Sequence, residues 1–175
     1  MKDVPGLSYL EDEIFISNRT APLSQNLDKE LKSVAWDLLP PLTKYRAHNW
    51  HSFDDIENRS PYAAIYTSLG CPFTCSFCCI NAEVKASIAG VGGKENHSDL
   101  EGLKILDNTK PKIRYWSPEH VIKQIDYLVS QGVKNIKFID EMYVLDKNHN
   151  ETIANKIKER YYDVNIWAYA RVDTV

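Results

Sequence analysis

The chain has 175 residues, of which 43% are hydrophobic, and a formal net charge of -3. That is enough apolar material for one core, and the 21 basic side chains are scattered without a block, so nothing in the charge pattern indicates nucleic acid as a partner. No apolar run approaches the length of a membrane span, and the opening Met1-Lys-Asp-Val-Pro-Gly6 lacks the apolar centre of a signal peptide, so the expected compartment is cytoplasmic.

Residues 7–16 predict a short hairpin with an acidic turn, and Leu27 to Leu39 predict a helix stopped by Pro40 and Pro41. The aromatic stretch that follows, with Trp36, Tyr45, Trp50 and Phe53, is expected to pack a connecting segment against the main domain. From Pro61 the pattern turns α/β. Tyr62 to Ser68 predicts a strand, and a cysteine-bearing loop leaves its C-terminal end. Residues 86–112, with Gly90, Gly92, Gly93 and Gly102, break the pattern and read as a mobile insertion. Gly90-Val-Gly-Gly93 lacks the spacing and the following Lys-Ser/Thr of a phosphate-binding loop.

A helix is predicted to start at Ser117 with Pro118 in its first position, to place Val121, Ile122, Ile125, Leu128 and Val129 on one face, and to end at Gly132. A second strand is predicted over Asn135 to Ile139, a helix near Glu151 to Arg160, and a third strand over Asn165 to Ala170. Strand, helix, strand, helix, strand implies a parallel sheet with right-handed crossovers. The expected division is a linker with a hairpin and a short helix over 1–60, followed by an α/β domain over 61–175.

All 4 cysteines fall between positions 71 and 79, so no distributed disulfide framework is expected. Cys71, Cys75 and Cys78 have the spacing C-x3-C-x2-C, which lets three thiolates converge on one centre. Soft sulfur ligands favour zinc or iron–sulfur iron. Three ligands leave a fourth corner of a cluster open to a reactant. A zinc module remains an alternative, because His48 and His51 form an H-x2-H pair that can complete such a site. Cys79 is the spare, read as a small buried hydrophobe. His97, His120 and His149 have no pairing residue at a telling spacing and are expected to be solvated, so no general base is assigned and the catalytic residues stay unknown.

The three cysteines, with the aromatic Phe77 before the last, resemble the signature of the radical S-adenosylmethionine (SAM) superfamily. The likeness extends to Trp36-Asp-Leu-Leu-Pro40, Tyr66-Thr-Ser-Leu-Gly-Cys71, Trp116-Ser-Pro-Glu119, Phe138-Ile-Asp-Glu141 and Trp167-Ala-Tyr-Ala-Arg171, which are similar to the branch associated with a cobalamin (B12)-binding domain. The resemblance implies a [4Fe-4S] cluster on Cys71, Cys75 and Cys78, with SAM on the fourth iron. It implies one-electron cleavage of SAM to a 5'-deoxyadenosyl radical that abstracts hydrogen from an organic substrate, with reduction by an external donor such as flavodoxin or ferredoxin.

By position, the resemblance further implies that the backbone around Phe77 contacts the adenine and that Phe77 itself packs beside the cluster, with core packing as its other role. It implies that Asp140 or Glu141 holds the SAM amino group, against a helix-capping or surface role. Arg171 pairs with the SAM carboxylate or neutralises one of those acids. The implied fold is a partial (β/α) barrel truncated after about three strand–helix units. The chain is then a fragment whose open sheet edge needs a partner or missing domain to cover it. No Asp-x-His-x-x-Gly occurs, so this chain is not expected to bind cobalamin itself. A non-catalytic cluster-binding domain is the remaining alternative.

Overall fold

The computed structural model describes residues 1–19, 21, 24–51, 57–73, 75–78, 80, 113–160 and 163–174. The chain divides into two compact units, one of residues 1–25 and 70–112, the other of residues 26–69 and 113–175.

In the first unit, β1 (Ser8–Glu11) pairs antiparallel with β2 (Ile14–Ser17), with Glu11 opposite Ile14. The two-residue turn between them is Asp12-Glu13, and both residues have left-handed backbone, φ 50° and 65°. That conformation gives the turn the twist of the flanking strands. The hairpin with its acidic turn is therefore present as expected.

The second unit is mixed α/β. Its sheet consists of β3 (Tyr62–Ile65), β6 (Asn135–Phe138) and β7 (Asn165–Ala168), in the order β3-β6-β7 and parallel throughout. In register, Ala63, Ile136 and Ile166 form one row and Ile65, Phe138 and Ala168 another. These rows join a hydrophobic core with Val121, Ile122, Ile125 and Leu128 of α2 (Pro118–Ser130) and Ile153 of α3 (Lys147–Glu159). Each fully buried Leu, Ile or Val contributes about 1.5–3 kcal/mol relative to exposure. The helix predicted from Ser117 is thus observed, capped by the Ser117 hydroxyl on the His120 N–H and followed by Gly132 at φ 81°.

Three expectations are corrected. The helix over 27–39 is a single turn, α1 (Leu27–Glu30), with a separate 3-10 turn at Trp36–Leu38. Leu27 is buried, but Leu31, Val34 and Leu38 are exposed. Without an apolar face to pack, a short helix lacks the tertiary support it needs. The backbone carbonyl of Leu31 instead accepts from the Trp116 indole at 2.9 Å, and Asp28 accepts from the Ser117 N–H at 2.9 Å. Of the aromatics expected to pack this segment, Trp36 does, beside Leu42, whereas Trp50 is exposed and Phe53 lies outside the described residues.

The strand from Tyr62 breaks after Ile65. A second short strand, β4 (Ser68–Leu69), pairs antiparallel with β5 (Arg114–Tyr115). Finally, α3 begins at Lys147, four residues before its predicted start, because Asp146 caps the His149 N–H at 2.9 Å. The insertion predicted over 86–112 lies outside the described residues. No described helix is long and apolar enough to cross a membrane.

Candidate functional site

The break after Ile65 has a single cause. Asp140, just beyond the end of β6, is fully buried. Its Oδ1 accepts from the Thr67 N–H at 2.9 Å, the Thr67 hydroxyl at 3.0 Å, the Ser68 hydroxyl at 2.6 Å and the Ser68 N–H. Two consecutive backbone donors are thereby withdrawn from the parallel ladder, whose last bond is Ile139 N–H to Ile65 O at 2.9 Å. The chain turns into β4, and Cys71 follows Ser68 by three residues. Asp140 is neither a helix cap nor a surface residue.

Around this corner the C-terminal end of the sheet gathers polar side chains. Among the described residues, Asp140 Oδ2, Glu141 Oε2 and His149 Nε2 are buried without a hydrogen-bond partner. Burial pushes the Tyr143 phenol up to about 12, with help from the Asp140 carboxyl. Burial, then Asp146 and Asp140, push Tyr115 up to about 12 as well. Tyr66 is raised by burial and by Glu141 and Asp140. A buried phenol beside carboxyls resists ionisation because each contribution penalises the phenolate.

His149 overturns the expectation of a solvated side chain: it is buried, with its ring 4.7 Å from that of Tyr115. Burial lowers its pKa, and the carboxyls of Asp146 and Asp140 only partly oppose that. The early start of α3 is the signal that sequence reading missed, since an Asp three residues before His149 caps its N–H and turns its ring inward. His120 is not solvated either, with 18% of its side chain exposed and its ring stacked 6.3 Å from that of Trp116. His97 lies outside the described residues.

The cysteine loop leaves through Gly70, whose φ of 95° favours glycine at that bend. Cys71 and Cys75 are half-buried and Cys78 is exposed. The Cys75 carbonyl accepts the Cys78 N–H at 3.1 Å, so the C-x2-C part of the motif is one turn of backbone. Phe77 is 90% exposed among the described residues. No group of three or more metal-capable side chains is assembled among the described residues. The donor set nevertheless fits an iron–sulfur cube: three cysteines on one short loop, which is one fewer than a closed four-cysteine site uses.

Cys79 lies outside the described residues. His48 Nδ1 accepts from the Trp50 N–H at 3.3 Å, which occupies one of the ring nitrogens a zinc site would use. Arg171 makes a two-toothed pair with Asp173, Nε to Oδ1 at 2.9 Å and a terminal nitrogen to Oδ2 at 2.7 Å. That pairing holds the Asp173 carboxyl below its usual range.

No family model matches the chain, and no solved structure matches it. Among curated proteins, an uncharacterized methyltransferase of Pyrococcus horikoshii is 31% identical over 99% of this chain. The chain spans 30% of the length of that relative. The two proteins are distant homologues along essentially all of the chain described above.

Proposed function

We propose that the chain is the first half of a radical SAM core, a partial (β/α) barrel that carries a [4Fe-4S] cluster on Cys71, Cys75 and Cys78 and binds SAM. The observation that carries this reading is the trio of closely spaced cysteines on a loop that follows a parallel strand and its pinned corner in the chain. The methyltransferase name of the homologue agrees with the methyl transfers of the cobalamin-associated branch. When bound, cluster and SAM supply one-electron cleavage of a carbon–sulfur bond and a carbon radical for hydrogen abstraction from an organic substrate.

The chain's own residues divide the remaining work. Asp140 Oδ1 is saturated by Thr67 and Ser68, so its main task is to fix the strand end that leads to the cysteines. Glu141, whose Oε2 has no partner among the described residues, is the acceptor for the SAM amino group. Arg171 is the cation for the SAM carboxylate and shares itself with Asp173. Phe77 covers the cluster from an exposed position.

Anaerobic reconstitution with ferrous salt and sulfide tests the reading. Iron with acid-labile sulfide, followed by 5'-deoxyadenosine on addition of dithionite and SAM, is the expected result. Stoichiometric zinc in colourless protein would replace the reading with a zinc module. A cluster that yields no 5'-deoxyadenosine would reduce it to a non-catalytic domain.

A further inference from the structure

The three-stranded sheet has two unlike faces. One is the core face described above. The other carries Tyr62, Ala64, Asn135, Lys137, Asn165 and Trp167, since strand side chains alternate and the register aligns Tyr62, Asn135 and Asn165 in one row and Ala64, Lys137 and Trp167 in the next. Among the described residues, none of these side chains joins the hydrophobic core.

Lys137 sits mid-strand in β6, the central strand, where a parallel sheet ordinarily places an apolar side chain on both faces. Its ammonium lies 4.6 Å from the centre of the Trp167 ring and hydrogen-bonds Tyr169 Oη at 3.0 Å. The two rings meet edge to face at 4.5 Å, forming a corner that holds the lysine. Lys137 takes part in none of the ion pairs among the described residues. No carboxylate stands on this face of the three strands. The neighbours are amides and phenols: Asn165 donates to Asn135 Oδ1 at 3.2 Å, and Asn135 donates to the Asn58 carbonyl at 2.9 Å.

An ammonium has three donors, and Tyr169 Oη takes one. A ring face attracts the cation but leaves its remaining N–H groups without a strong acceptor. Covering this face with an apolar layer would strand the charge, which is costly without a counter-ion. The ligand that completes it must therefore bring a negative charge, and a planar or apolar body to lie against Trp167.

We infer that this face binds a small organic anion, with a carboxylate or phosphate on Lys137 and its body on Trp167. That the anion is the enzyme's substrate rests on the proposed function; the anion surface itself does not. Phenyl phosphate and benzoate are the probes, with benzyl alcohol as the neutral control, each titrated into the full chain while the Trp167 indole N–H signal is followed by NMR. Lys137→Gln should weaken the anions by about tenfold or more, the usual weight of a charge-assisted hydrogen bond, and Lys137→Arg should keep them bound.

Melting temperatures of both variants matching the parent would place the loss at the surface. Equal binding of benzyl alcohol, unchanged affinity in Lys137→Gln, or no saturable binding by the parent would overturn the inference. Iron and sulfide are measured on the same reconstituted samples. Lys137-dependent binding without a cluster would leave this surface standing and remove the radical reading alone.

Discussion

One carboxyl oxygen of Asp140 holds both the backbone N–H and the hydroxyl of Ser68, a residue 72 positions away in sequence, and so decides where β3 stops and the cysteine-bearing segment starts. Replacing Asp140 with Ala would leave the Thr67 and Ser68 donors buried and unsatisfied. The expected loss is about 3 kcal/mol or more of unfolding free energy in a urea titration. Asp140→Asn, which keeps one acceptor oxygen, should lose less. Equal stability of the alanine variant and the parent would refute the pinning role.

His149 makes stability depend on pH. Its folded pKa lies below the ordinary 6.5, because burial disfavours the imidazolium. The unfolded chain therefore binds the proton first as pH falls. The neutral-His contribution is complete above about pH 6.5 and declines below it, by at most about 1.4 kcal/mol per pH unit, until the folded pKa is passed. Denaturation midpoints between pH 7.5 and 5 should show that slope, and His149→Gln should flatten it.

The N-cap of α2 is a local term. Ser117→Ala removes the hydroxyl that accepts the His120 N–H at 3.1 Å and should cost about 1 kcal/mol. Asp28 still takes the Ser117 N–H in that variant, so the linker contact should persist. A change within measurement error would show that water replaces the cap fully.

Among the four cysteines, Cys78→Ala should abolish iron uptake on anaerobic reconstitution while Cys79→Ala leaves it intact. Adjacent side chains ordinarily diverge, so the two sulfurs are not expected to serve one cluster together. Similar iron loss in both would contradict the ligand assignment.

The proposed acidic and basic contacts to SAM are tested separately by isothermal titration of the reconstituted protein. Glu141→Ala and Arg171→Ala should each weaken SAM binding about tenfold, as expected for a lost charge-assisted hydrogen bond, with iron content unchanged. Parent-like affinity in both variants would reject their roles.

What could be read from sequence was what local pattern encodes. Ser117-Pro118 and Gly132 bracket α2 because cap and stop chemistry act within a turn. The stretches at 62–68, 135–139 and 165–170 predicted three parallel strands, which the structure ends earlier, at Ile65, Phe138 and Ala168. The first turn of α3 escaped because Lys147-Asn-His-Asn150 shows no apolar period, and its start rests on the Asp146 cap. The helix expected over 27–39 had the composition but not the packing surface. Within the site, the cysteine spacing was visible. The division of labour between Asp140 and Glu141, and the corner around Lys137, were not. Those depend on contacts between strands about 30 to 73 residues apart.

The antiparallel pairing of β4 with β5 has a further consequence. Leu69 stands opposite Arg114 and Ser68 opposite Tyr115, so the excursion between them starts and finishes at adjoining points of the α/β unit. A zipped neck of this kind makes the length of the intervening chain nearly neutral to the rest, because closure entropy grows only with the logarithm of loop size. Insertions and deletions between the two zipped ends can accumulate while the sheet, its pinned corner and the spacing from that corner to the first thiol stay fixed.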